Sequence, residues 1–136
     1  MERICEALKH TVAMAPASVA ASTETATSYL SAAGMSEVEF LVSTGAIASG
    51  KTLTVALYAA DDSSGTNAQK VAEKVFTASA AMTSAVAVVS ARVTADCGGY
   101  YAVKFQHNCA AAVICAATMS GPVRYRPAMN DWALVV

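Results

Sequence analysis

The residues after Thr52 read LTVALYAA, and Leu53, Val55 and Leu57 fall on one side of an extended chain while Thr54, Ala56 and Tyr58 fall on the other. A helix would scatter those three apolar residues around its circumference, so a period of two constrains the segment to a β-strand. The pattern recurs along the chain. Val38, Phe40 and Val42 alternate with Glu39, Leu41 and Ser43. In residues 85–95, Val86, Val88, Ser90, Arg92 and Thr94 oppose Ala87, Val89, Ala91 and Val93. Tyr101, Val103 and Phe105 oppose Tyr100, Ala102, Lys104 and Gln106. Residues 110–119 are almost wholly apolar, the pattern of a strand covered on both faces. Trp132, Leu134 and Val136 alternate with Ala133 and Val135 as a closing strand, which places Trp132 in the core.

Turn formers punctuate these stretches at Gly34, DDSSGTN, Gly98-Gly99 and Gly121-Pro122. The segment AQKVAEKVF fits a helical stripe or a strand face, and its β-patterned neighbours favour the strand. Many short strands with regular turn signals predict an all-β chain, a single antiparallel β-sandwich of jelly-roll-like or Greek-key topology. With no repeat or linker, residues 1–136 are read as one domain with a short N-terminal arm to about residue 16. ERICEALKH suits a short helix, and equally an extended arm or first strand continuing through Val12 and Met14, and Pro16 is expected to break it.

Residues 45–52, GAIASGKT, match the phosphate-binding pattern G-x-x-x-x-G-K-[ST] letter for letter. That chemistry requires a helix beginning at the Lys, so that its N-terminus and the loop N–H groups converge on phosphate. A strand follows instead. The stretch is therefore read as a β-hairpin connection with Gly45 and Gly50 at its ends, and no nucleotide cofactor is expected.

Charge and cysteine usage exclude further classes. Only 14% of residues are charged against 55% hydrophobic, and Ala, Ser and Thr are abundant. Such a surface suits small side chains lying against another subunit. A net charge of −1 offers no electrostatic footprint for nucleic acid. No apolar run reaches the ~20 residues that span a bilayer, and early charges interrupt any export signal, so action without Sec export or membrane contact is expected. Cys5, Cys97, Cys109 and Cys115 form no C-x-x-C and no zinc spacing with His10 or His107. Cys97, beside a turn, is the thiol expected to be exposed. Cys109 and Cys115, if on one strand, lie about 20 Å apart.

Catalytic letters are sparse: there is no G-x-S-x-G elbow, and both His residues stand alone. Asp61 and Asp62 with Ser63, Ser64 and Asn67 lack the spacing of a calcium loop and read as a solvated turn. The polar residues singled out as contact surface are Arg124, Tyr125 and Arg126, with Glu37 and Glu39 as acidic partners on a neighbouring copy. In an extended RYRP, both guanidiniums point the same way, a fork suited to carboxylates.

A strand leading to Pro16, a Ser/Thr/Ala-rich segment ending in TSYLSAAG, then VEFLVSTGAIASGKTLTVALYAADDSSGTNAQKV, DCGGYYAVKFQ and RYRPA together resemble a group of small structural proteins encoded beside the major capsid gene in tailed bacteriophages and prophages. The resemblance implies a non-enzymatic virion component, since it carries no active site. It also implies a decoration or cement protein on the capsid surface, made in the host cytoplasm. Its partners would be the major capsid protein and further copies of itself, with a trimer favoured. Rival expectations are a head–tail joining or tail component, and a host-surface or glycan-binding module using Trp132 or the Tyr100-Tyr101 pair.

Overall fold

The computed structural model describes residues 3–136. A one-turn helix, α1 (Ile4–Ala7), leads into β1 (Leu8–Val19), followed by β2 (Thr25–Ala26), β3 (Leu30–Ser31), β4 (Glu37–Thr44) and β5 (Thr52–Ala60). β6 (Gln69–Thr77), β7 (Ala85–Arg92), β8 (Tyr100–His107) and β9 (Val113–Pro122) complete the order. They form two antiparallel sheets. Sheet A runs β1-β9-β4-β7, and sheet B runs β2-β8-β5-β6 with β3 also on β8. Taking β2 and β3 as one interrupted strand, this is the order of a jelly roll, an eight-position double Greek key. The all-β sandwich is as expected.

The alternation seen in the sequence builds the core. Phe40 and Val42 from β4, Val103 and Phe105 from β8, and Cys115, Ala117 and Met119 from β9 are buried between the sheets. Burying each large apolar side chain stabilises the fold by roughly 1.5–3 kcal/mol. One buried polar group is fully integrated: His107 Nε2 lies 2.8 Å from the Val19 carbonyl, and its Nδ1 accepts from the Cys109 N–H at 3.2 Å. That pairing fixes the tautomer with the proton on Nε2.

Several expectations are corrected. GAIASGKT is not a hairpin, because β4 and β5 belong to different sheets; the loop is an arch that carries the chain across the sandwich. The strand after it is as expected, so no helix begins at Lys51. Pro16 does not break β1, and the supposed arm is built into sheet A from Leu8 onward. β1 is an edge strand whose register shifts between Met14 and Ala17, and a residue without an N–H is tolerated at such an irregularity. AQKVAEKVF is a strand, β6, paired in a true hairpin with β5.

The apolar run at 110–119 begins its strand only at Val113, and the outward Ile114 is exposed. Residues 132–136 form no strand, and Trp132 is 95% exposed rather than in the core. Cys109 lies before β9, not on it. Burial pushes the Cys115 thiol up, and Cys109 adds to the rise. Cys97 is half-buried, as is Cys5.

The β5–β6 turn shows how local chemistry closes the hairpin. Asp62 accepts from the Thr66 hydroxyl at 2.7 Å and from the Ser64 and Thr66 N–H groups, and Asn67 donates to Asp61 at 2.8 Å. Those bonds, the Thr66 hydroxyl foremost, hold the Asp62 carboxyl below its ordinary 3.8. The acidic pair serves the turn.

Candidate interaction surface

Because β4 and β9 turn Phe40, Val42, Ala117 and Met119 inward, their alternate residues form the outer face of sheet A. Register aligns these residues in rows across the strands. Val12, Thr118, Leu41 and Val88 make one row through all four strands. Ala116, Ser43 and Val86 make the next, and Ile114 extends it beyond. Val12, Ile114, Val86 and Val88 are 61%, 57%, 58% and 51% exposed, and no element of the described chain covers them. The two rows with Ile114 present on the order of 400 Å², the size of the largest patch on a typical protein surface, which is often a functional one.

The opposite end of this face is polar. His10, Ser120, Glu39 and Ser90 share a row, and His10 Nδ1 lies 2.7 Å from the Ser120 hydroxyl. Glu37 stands opposite Arg92. The chain leaves β9 here, so residues 123–129 fold beside the turn preceding β4. A depression of ≈ 560 Å³ in this region is lined by residues that include Lys9, Met35, Arg124 and Tyr125. Arg124, Tyr125 and Arg126 are exposed, with Tyr125 at 83%. Residues 124–127 bend rather than extend, which removes the basis for expecting parallel guanidiniums. The structure thus brings the arginines and Glu37 and Glu39 to one end of sheet A within a single copy.

The outer face of sheet B differs. Lys104 lies 4.2 Å above the Tyr58 ring, covering Ala56, and Lys70 pairs with Glu73 at 2.5 Å. The Glu73 hydrogen bond raises the Lys70 pKa, and both groups are solvated, so the pair adds little to stability. Among the described residues, no three His, Cys, Asp or Glu side chains come together to hold a metal ion, and no helix is long and apolar enough to cross a membrane.

Reading the sequence missed the apolar face of sheet A. Composition points to outer faces lying against another subunit, but nothing in it says which strands, and residues 110–119 are read simply as covered on both faces.

No protein-family model matches the sequence, and no curated protein matches it significantly. Among solved structures, the chain is similar to the PBSX exported protein XepA, with a TM-score of 0.57 at 10% identity over 93% of this chain. It spans 42% of the length of that protein, and the likeness is one of fold. A structure of infectious bursal disease virus, Gx strain, aligns over 93% of this chain and 45% of its own at 12% identity, but its TM-score of 0.28 is too low to support an argument.

Proposed function

We propose that this chain is a structural protein of a tailed-phage virion that decorates the capsid as a homo-oligomer and cements its shell. The observation that carries the reading is the uncovered apolar face of sheet A, a flat surface with its charges gathered at one end. Such a face suits a permanent protein partner rather than a small substrate. The jelly-roll order is compatible with a virion role, and the sequence resemblance supplies the class. Many such contacts, each modest and repeated by symmetry, would hold shell subunits against internal pressure. The chain acts without catalysis, cofactor, nucleic acid or membrane, and its partner is the major capsid protein.

The RYRP loop and the acidic end of sheet A give the attachment its polar rim. Arg124→Ala/Arg126→Ala is expected to fold with a melting temperature close to wild type and to attach to capsid shells about tenfold more weakly. Lys70→Ala/Lys74→Ala, at the same salt, is expected to attach normally. Co-sedimentation with purified shells measures both, and equal attachment by the two double variants would remove the loop from the contact. Failure of the wild-type protein to bind shells, with recovery instead in the tail fraction, would favour a head–tail or tail component.

A glycan-binding module is the second reading, and the exposure of Trp132 favours it. Saccharide binding quenched by Trp132→Ala, without shell attachment, would select it. The arch geometry, with a strand and no helix after Lys51, argues against a nucleotide role there: titration with Mg-ATP or Mg-GTP is expected to give no heat, and Lys51→Ala to leave folding intact. Saturable binding lost in that variant would reverse this.

A further inference from the structure

Residues 132–136, WALVV, carry the period-two pattern of a strand, yet they pair with no strand in the structure. Trp132, Leu134 and Val136 are 95%, 90% and 98% exposed. A strand-like apolar segment left in water has an unmet need for a partner.

The other side of the molecule has the complementary vacancy. β6 and β7 are the outermost strands of their sheets, on the same flank, and each leaves one edge without a strand. Between them the sandwich is open, and a groove of ≈ 400 Å³ reaches inward, lined mainly by Ile47, Leu53, Phe76, Met82 and Ala87. Edge and groove together call for one more strand with large residues on one face and small ones on the other. Added along β7, residues 132–136 would turn Trp132, Leu134 and Val136 into the groove. Ala133 and Val135 would then lie outside, beside Val86 and Val88.

The tail cannot fill the groove of its own chain. Asn130 anchors it at the start of β1, donating to the carbonyls of Cys5 and Leu8 at 3.0 Å and accepting from the His10 N–H at 2.7 Å. β1 and β7 are the two opposite edges of sheet A, about 14 Å apart across three strand spacings. Only Asp131 separates Asn130 from Trp132, a reach of about 7 Å when extended, so residues 132–136 cannot cross to β7 of their own chain before pairing would begin.

We infer that residues 132–136 of one copy add as a strand to the β7 edge of a second copy and seat Trp132 and Leu134 in its groove. The proposal rests on the self-association in the proposed function and names its contact. Donor and acceptor lie on opposite flanks, so the contact is heterologous and propagates head to tail until a ring closes, as in a trimer. Each exchange buries on the order of 800–1,000 Å² in total, so a closed ring of several exchanges exceeds what a stable assembly needs. The Arg3 side chain, which donates to the Val136 main-chain oxygen in the isolated chain, gives up that contact for strand pairing.

Sedimentation velocity tests this with wild type, a chain ending at Asp131, Trp132→Ala and the groove variant Met82→Glu. Wild type is expected to be oligomeric. The truncated chain and Met82→Glu are expected to be monomeric with unchanged far-UV circular dichroism, and Trp132→Ala to raise the dissociation constant at least about 30-fold. Mixing the truncated chain, which has an intact groove, with Met82→Glu, which has an intact tail, is expected to give a one-to-one heterodimer. An oligomer that survives truncation overturns tail exchange while leaving self-association standing. A wild-type monomer at every concentration overturns both. A fluorescent peptide of residues 129–136 is expected to bind the truncated chain and not truncated Met82→Glu; binding to neither overturns the groove assignment by itself.

Discussion

Gly98→Ala is expected to destabilise the protein by at least about 3 kcal/mol, near the upper end for overpacking, and to lower its melting temperature by on the order of 10 °C. A β-carbon at Gly98 would sit 2.0 Å from the Ala60 carbonyl oxygen and 2.3 Å from its carbon. Both are main-chain atoms at the end of β5, held by pairing with β8, so neither can swing aside as a flexible side chain would. The adjacent glycine provides the control, since a β-carbon at Gly99 meets nothing within 4 Å. Gly99→Ala is therefore expected to change stability by less than about 0.5 kcal/mol. Urea unfolding of the two variants measures the contrast, and similar midpoints would mean that the turn repacks.

His107→Phe is expected to cost about 2–5 kcal/mol although it keeps the ring and adds apolar surface. The imidazole satisfies the Val19 carbonyl and the Cys109 N–H at once, in a site only 1% exposed. Phenylalanine leaves both main-chain groups buried without a partner, at about 1–3 kcal/mol each. His10→Ala, on an exposed residue, is expected to cost about 1 kcal/mol or less by the same measurement. A stability of His107→Phe equal to wild type would show that water or main-chain movement takes over both bonds.

What the sequence makes legible follows from where burial is one-sided. β4, β5 and β8 have clean alternation because one face meets the core and the other meets solvent or long polar side chains, as with Lys104 over Tyr58. β7 and β9 place Val and Ala on both faces, so the two faces of β7 separate without showing which is inside, and β9 reads as covered on both. Pairing was less legible than strands. Gly45 and Gly50 look like hairpin punctuation, but nothing local to a loop says whether the next strand returns beside its predecessor or crosses to the other sheet. Pro16 misled because its effect depends on the edge position of β1, which only β9, about a hundred residues later, determines. The tail misled for a related reason: its pattern is that of a strand, but the surface it suits is absent from its own chain's reach. The exposure of Arg124, Tyr125 and Arg126 was readable from Gly121-Pro122 and Pro127 around them, whereas their place at the end of sheet A where Glu37 begins β4 required the fold.

The pairing of β1 with β9 also governs when the protein can first exist during synthesis. At about 5–20 residues per second, β1 waits roughly 5–20 s for its partner strand to be made. The β5–β6 hairpin can close first and β4 can pair with β7 next, but β8 is the centre of sheet B and β9 joins β1 to β4 in sheet A, so neither sheet is complete without them. Until β9 is made, the inner faces of β1 and β4 and the outer valines of sheet A lack the strand that lies between them. β9 then joins β1 to the β4–β7 pair, so the apolar face that suits a permanent partner is completed only by the last strand of its sheet to be made.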